Sequence, residues 1–209
     1  MSWFVTGTDT GVGKTQASVA LLQALRARGR RCVGMKPVSA GGDEDVLALR
    51  AASSVSVSAE LDNPYRLQAP VSPHIAAARE GVAIDVALLR ERFAALQERA
   101  DAVVVEGAGG FCVPLTDTLT GADLAATLQL PVILVVGLRL GCLNHAVLTQ
   151  QAIAARGLKL AGWIANRIDP SMSEPDANID FLRRRLAGPL LAEWPWQPAQ
   201  FTLDRLPDA

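Results

Sequence analysis

Cysteine is scarce: Cys32, Cys112 and Cys142 are the three in 209 residues, and they are widely spaced. An odd number with no close pair excludes a disulfide framework and a cysteine-built metal site, so buried free thiols are expected. Neither sign of charge is in surplus. Twenty Lys and Arg stand against 21 Asp and Glu, a net charge of −1, which rules out a global positive field for nucleic acid or an anionic membrane. Any anion must therefore be held locally. Long hydrophobic runs are missing too: the most apolar stretch, Leu130 to Leu138, contains Pro131 and falls well short of the roughly 20 residues that a bilayer requires. It reads as a buried strand. Met1 to Val5 shows no basic segment leading into an apolar run and a cleavage site, so the expected location is the cytoplasm. No repeat or low-complexity tract interrupts the chain. The two histidines, His74 and His145, are given no chemical role, since a lone His is more often a structural hydrogen-bonding residue.

What is present is a well-mixed globular sequence. Half of the residues are apolar and 20% are charged, enough for one filled core, and a single domain over residues 1–209 is expected. Short β-prone runs alternate with helical patterns. Residues 3–6 read as a strand; Ala17, Leu21, Leu22 and Leu25 then share a helix face that ends among Arg26, Arg28, Arg30 and Arg31, a solvated helix end where cations suit the dipole. Residues 31–36 form a second strand, Asp85 caps a helix carrying Val86, Leu89, Phe93 and Leu96, and Ala102 to Glu106 is again a strand. Val132 to Val136 and Leu160 to Asn166 repeat the theme on either side of a helix through Ala146 to Ala155. Continuously apolar strands separated by helices predict an α/β fold, a mostly parallel sheet with helices on both faces. Ligands of such sheets bind beyond the carboxyl ends of the strands.

The residues that follow those strand ends carry the chemistry. Gly7-Thr8-Asp9-Thr10-Gly11-Val12-Gly13-Lys14-Thr15 resembles a Walker A loop, whose backbone N–H groups wrap phosphates at a helix N-terminus. Five residues rather than four separate Gly7 from Gly13, yet the demanding end is intact. Gly13 permits close backbone approach, Lys14 can reach the β and γ phosphates, and Thr15 can ligate Mg²⁺. The bland alternative is a glycine-rich turn that binds nothing.

A nucleoside triphosphate brings a metal, which a hydroxyl and one or two carboxylates hold. Glu106 closes an apolar strand beside Gly-Ala-Gly-Gly and is one candidate; Asp43, Glu44 and Asp45 precede an apolar helix, and the residues alone do not choose among these three. Lys36, followed by Pro37, is a second strand-end lysine. Two lysines at one phosphate site suggest transfer of a phosphoryl group to an anionic acceptor; a surface lysine is the competing reading.

Phe4 to Thr10 with Val12-Gly13-Lys14-Thr15, then Gly34-Met35-Lys36-Pro37-Val38, resembles the start of the dethiobiotin synthetases. The likeness continues through Asn63-Pro64-Tyr65, Ser72-Pro73-His74, Val105 to Gly110, Leu140 to Ala146 and Ala161 to Asn166, in family order and spacing, so that it spans residues 4 to about 196. It implies a three-layer P-loop NTPase fold. The implied reaction is ATP- and Mg²⁺-dependent closure of the ureido ring of dethiobiotin from 7,8-diaminononanoate and CO₂ or bicarbonate, with release of ADP and phosphate, in biotin biosynthesis. It also implies residue roles. Thr15, Asp45 and Glu106 would hold Mg²⁺, which singles out Asp45 from the three acids. Gly11, Val12, Gly13, Lys14, Thr15 and Gln16 would wrap the triphosphate, and Thr10, Lys14 and Lys36 would serve the reacting groups. Gly107, Ala108 and Gly109 would wall the site near the diamine, and Asn166, Pro195 and Trp196 would border the base. Ser39 and Ala40 would face the substrate, and Gly141, Cys142, Leu143 and Asn144 would reach the neighbouring site of a homodimer. Asn144 also reads as a helix N-cap.

The sequence departs from the family pattern at a few places. Some members have an acid at Gly11, a substrate-contacting serine falls on Ala40 with Ser39 beside it, and Arg167 stands where an acid can follow the base-side asparagine. Trp194 reads as core, and Arg183-Arg184-Arg185 as an exposed helix end. Two other classes share a phosphate loop: a switch or partitioning ATPase, and a nucleotide-binding regulatory module without catalysis. The former often carries a further lysine early in the loop, and positions 7–13 have none.

Overall fold

The computed structural model describes residues 1–207; residues 208 and 209, the end of the expected domain, lie outside the described residues. The chain runs β1 (Ser2–Gly7), α1 (Lys14–Ala27), β2 (Cys32–Met35), β3 (Val38–Ala40), α2 (Glu44–Ala52), α3 (Ala59–Asp62), β4 (Tyr65–Leu67) and α4 (Pro73–Glu80). It continues with α5 (Val86–Gln97), β5 (Ala102–Gly110), α6 (Gly121–Thr127), β6 (Val132–Leu138), α7 (Cys142–Ala155), β7 (Leu160–Arg167), α8 (Pro175–Arg185) and β8 (Leu190–Trp194). A six-stranded sheet has the order β2-β5-β1-β6-β7-β8, and β3 with β4 makes a small second sheet. Every named pairing is parallel.

Alternation along β1 separates two cores. Trp3 and Val5 pack with Leu21, Leu22 and Leu25 of α1 and Leu49 of α2. Phe4 turns to the opposite face, where Leu89, Phe93 and Leu96 of α5 and Leu182 of α8 lie. Both faces of the sheet are thus dry, which is why its strands read as unbroken apolar runs rather than as alternating ones. The three-layer α/β expectation holds.

Local chemistry sets several boundaries as read from sequence. The Asp85 carboxylate accepts from the Ala87 N–H at 2.8 Å and caps α5. Asp85→Ala is expected to cost about 1 kcal/mol, measured as a fall in the denaturation midpoint. Trp194 is buried, donates its indole N–H to the Thr202 carbonyl at 2.7 Å and stacks edge-on against Phe201. The segment after β8 therefore packs back on the sheet through Phe201, Leu203 and Leu206. The arginines of residues 183–185 are exposed as expected, with Arg183 paired to Asp180 and Glu193.

Two expectations are corrected. Cys112 is exposed, not buried, because it sits in the turn beyond β5, while Cys32 and Cys142 are buried free thiols. Asn144 does not cap α7: that place falls to Gly141, whose φ of 96° only glycine adopts cheaply, and Asn144 lies inside the first turn.

Candidate active site

Register brings the charged residues together. Met35 of β2 pairs with Val105 of β5, and both side chains belong to the core on the α5 side. The next residue on each strand points to the other face, so Lys36 and Glu106 meet beneath the start of α1. Lys36 Nζ lies 2.6 Å from Glu106 Oε1 and 2.7 Å from Asp45 Oδ2. The Thr15 hydroxyl completes the cluster, 2.7 Å from Asp45 Oδ1 and 3.0 Å from Glu106 Oε1. Asp45 stands in the first turn of α2, where a carboxylate also suits the helix dipole. Lys36 is 4% exposed and Glu106 0%, so Lys36 is not a surface lysine.

Burial alone would lower the Lys36 ammonium, but the charges and hydrogen bonds of Glu106 and Asp45 outweigh it and hold its pKa above the ordinary value. Burial would likewise raise the Asp45 carboxyl, and Lys36 overturns that, with Thr15 and Lys14 adding to the lowering. For Lys14 the balance runs the other way: burial first, then the nearby Lys36 charge, push it down to about 8, and the charges of Glu106, Asp45 and Asp9 offset only part of that. A phosphate placed beside it would restore the favour of its charged form.

The loop that presents Lys14 is shaped by two left-handed glycines, Gly11 at φ 74° and Gly13 at φ 100°. Lys14 Nζ donates to the Asp9 carbonyl at 3.0 Å, the Asp9 carboxylate accepts from the Thr10 N–H at 2.7 Å, and Arg139 pairs with the same carboxylate. From β7, Asn166 Nδ2 donates to the Val12 carbonyl at 2.9 Å. A Cβ on Gly13 would meet that amide nitrogen at 2.5 Å. Gly13→Ala combines this clash with a conformation that costs an L-residue about 1–2 kcal/mol. ATP affinity measured by calorimetric titration is therefore expected to fall about tenfold.

A cavity of about 730 Å³ opens over the cluster. It gathers Thr10, Gly11, Gly13, Lys14, Thr15, Gln16, Lys36, Ser39, Ala40, Asp45, Ala108 and Gly109 from the expected set. Glu106 lies at its floor through its contacts to Thr15 and Lys36. Val12 and Gly107 are buried beside it. The Ser39 hydroxyl is turned to Asn63 Oδ1 at 3.2 Å. Asn166 pairs in register with Trp194, which puts Pro195 and Trp196, both exposed, just past the same strand ends. Arg167 is spent between Asp176, at 2.5 Å, and Glu193, at 2.6 Å.

Gly141, Cys142, Leu143 and Asn144 do not line this cavity. Gly141 and Asn144 are exposed at the start of α7, Leu143 is half-buried, and Cys142 is packed into the core, so Cys142 offers a ligand only its backbone. Sequence reading gave no role to Asp62 and Asn63, whose groups bind the Lys36 backbone, or to the wall formed by Pro70, Val71, Ser72 and Pro73. The motifs Asn63-Pro64-Tyr65 and Ser72-Pro73-His74 were the available signals.

Among the described residues no group of three or more His, Cys, Asp or Glu is arranged for a metal. The hydroxyl and two carboxylates here are a smaller, all-oxygen set of the kind Mg²⁺ accepts together with water and phosphate oxygens. Glu106 Oε2 is buried without a hydrogen-bond partner among the described residues, a costly state for a carboxylate oxygen unless a cation or donor meets it. These residues fit Mg²⁺.

A family model described as an AAA domain matches residues 2–200. Among solved structures, the septum site-determining protein MinD from Pyrococcus horikoshii, complexed with Mg-ADP, aligns at TM-score 0.60 and 19% identity, over 95% of this chain and 83% of its own. The signal recognition particle receptor FtsY of Elizabethkingia anophelis aligns at TM-score 0.58 and 15% identity, over 98% of this chain and 62% of its own. These likenesses show the fold. ATP-dependent dethiobiotin synthetase BioD of Aromatoleum aromaticum is 57% identical over 202 residues, 93% of this chain and 90% of that protein. The protein of the same name from Xanthomonas axonopodis pv. citri is 53% identical over 205 residues, 94% and 92% of the two chains. With identity of that order across nearly all of its length, the chain belongs to the ATP-dependent dethiobiotin synthetases.

Proposed function

We propose that the whole chain acts as one domain that closes the ureido ring of dethiobiotin from 7,8-diaminononanoate, CO₂ and ATP in the cytoplasm, with Mg²⁺ as cofactor. The observation that carries this reading is the buried Lys36 ammonium beside Thr15, Asp45 and Glu106 at the floor of a cavity that the phosphate loop also lines. One amine of the diamine captures CO₂ as a carbamate, losing a proton. A carbamate oxygen attacks the γ-phosphorus and ADP leaves; the second amine then attacks the carbonyl carbon, phosphate leaves, and that nitrogen gives up a proton as the ring closes.

The residues fit the electrostatics of these steps. A carbamate and a triphosphate repel one another, and a loose phosphoryl-transfer transition state leaves charge on the equatorial oxygens. Lys14 and Lys36 neutralise that charge from two sides, and the amides of Gly11 to Gln16 fix the phosphates. Thr10, Ala108 and Gly109 face the same space and hold the carbamate in line. Thr15, Asp45 and Glu106 would hold Mg²⁺, which would supply positive charge to offset that of the phosphates. Asn166 with Pro195 and Trp196 borders the base.

We assign Gly141 to Asn144, which lie outside this chain's cavity, to the neighbouring site of a homodimer, as the resemblance to the dethiobiotin synthetases implies. Leu140, 96% exposed, and Leu148 stand on that side, next to a groove lined by Phe111, Val113 and Ala152. A second copy would cover this apolar surface.

Phosphate release by purified protein tests the reading. With ATP and Mg²⁺, release is expected to require diaminononanoate and bicarbonate together. Turnover indifferent to the diamine would point to a switch ATPase, and ATP binding without any turnover to a regulatory module.

A further inference from the structure

Lys36 stands one residue past the end of β2, where pairing with β5 stops at Met35–Val105 although β5 runs on to Gly110. Its peptide therefore has no sheet partner, and Pro37 after it offers no N–H. Both backbone groups are nonetheless satisfied. The Lys36 N–H donates to the Asp62 carbonyl at 2.7 Å, and Asn63 Nδ2 donates to the Lys36 carbonyl at 2.7 Å. Since the Lys36 oxygen can only accept, the Asn63 amide nitrogen must face it. The other end of that amide accepts from Ser39, so the side chain is fixed on both sides.

The same connector reaches the helix that carries Asp45. The buried Asp62 carboxylate takes a two-pronged bond from Arg50 of α2, Nε to Oδ2 at 2.7 Å and Nη2 to Oδ1 at 2.6 Å. Such fork-to-fork pairs fix direction as well as distance. A single segment, residues 62 and 63, thus grips the Lys36 peptide and the last turn of α2, five residues beyond Asp45.

We propose that Asn63 and Asp62, with Arg50, are positioning residues: they set the distance between the Lys36 ammonium and the Asp45 carboxylate, so that Lys36 meets the transferred phosphate in register with the metal ligands. The inference rests on the reading that Lys36 serves phosphoryl transfer. None of the three touches the reacting atoms; each acts through the backbone of Lys36 or the seat of Asp45. Displacing a reacting group by about 1 Å costs on the order of a hundredfold in rate, so a clamp on the lysine's own peptide has leverage that a remote packing residue lacks.

The test is a double-mutant cycle read in kcat and in the KM for ATP. Asn63→Ala is expected to lower kcat about tenfold or more and to leave the ATP KM within about threefold, since the phosphate loop is untouched. In a Lys36→Ala background the same change should add less than about twofold, because there is no longer an ammonium to misplace. Ser53→Ala is the control for mere loosening. Ser53 bonds the Gly34 N–H at 2.9 Å and joins α2 to β2 without touching Lys36; it should keep kcat within twofold.

If Asn63→Ala does not accumulate as folded protein, Asp62→Asn keeps the shape and the carbonyl while removing the charge that holds Arg50. It should lower kcat at least threefold with the same loss of effect in the Lys36→Ala background. A full Asn63 effect persisting without Lys36, an Asn63 variant within twofold of wild type, or an equal fall in Ser53→Ala would each overturn the inference while leaving Lys36 its role. Wild-type turnover by Lys36→Ala alone would overturn the role of Lys36 and the inference with it.

Discussion

Lys36→Ala is expected to lower kcat about a hundredfold while leaving ATP binding within a few-fold of wild type. Removing one preorganised contact to developing transition-state charge costs about 3 kcal/mol, which is that factor in rate. The geometry says why binding is spared: Lys36 comes from the end of β2 and pairs with Asp45 and Glu106, so it is no part of the loop whose amides would take the phosphates. Lys14→Ala contrasts with it, because Lys14 belongs to the loop itself and should weaken nucleotide binding and turnover together. Steady-state kinetics with calorimetric ATP titration separates the two. A Lys36→Ala enzyme within a few-fold of wild type would refute the assigned role.

Glu106→Gln is expected to cut kcat about a hundredfold or more and to raise the Mg²⁺ concentration needed for half-maximal rate. The substitution conserves shape but removes one of two carboxylates from the set formed with Thr15 and Asp45. Glu106 Oε2, buried and without a partner among the described residues, would become an amide nitrogen or oxygen with no charge to offer a cation. Truncating one partner of a buried ion pair usually destabilises by about 3–5 kcal/mol. Here Lys36 keeps Asp45 at 2.7 Å, so the fold should persist and the melting temperature should shift far less than the rate. A Mg²⁺ titration of phosphate release checks both parts, and an unchanged Mg²⁺ requirement would remove Glu106 from the metal site.

Much of this arrangement was legible because the relevant signals are local. Strands buried on both faces are written as unbroken apolar runs, and a phosphate loop needs left-handed glycines at fixed places, so β1, α1 and Gly13 could be read directly. Glu106 stood out as an acid closing an apolar run, where it has little structural use; β5 itself continues through the glycines after Glu106 to Gly110, so the acid lies within the strand. Asp45 could not be separated from Asp43 and Glu44 by pattern, since all three suit a helix start; the β2–β5 register and the lie of α2 decide that only Asp45 meets Lys36. The small β3–β4 sheet was missed because each strand has only three residues, too few for a period to show. The bonds from residues 62 and 63 to Lys36 were invisible for another reason: one joins backbone groups 26 residues apart and the other runs from the Asn63 side-chain amide to a carbonyl 27 residues away, and no local period links such distant partners. Asn144 was misplaced as a cap because Gly141 satisfies the turn through conformation, not through a side-chain bond.

The central claim is that Lys14 and Lys36 clamp a triphosphate against a carboxylated amine. A crystal structure with a non-hydrolysable ATP analogue, Mg²⁺, diaminononanoate and bicarbonate tests it most directly. The account predicts a γ-phosphate oxygen about 3 Å from Lys36 Nζ, with the carbamate in line behind the phosphorus. A Lys36 ammonium still bound only to Asp45 and Glu106, with the γ-phosphate or the diamine lodged elsewhere, would contradict it.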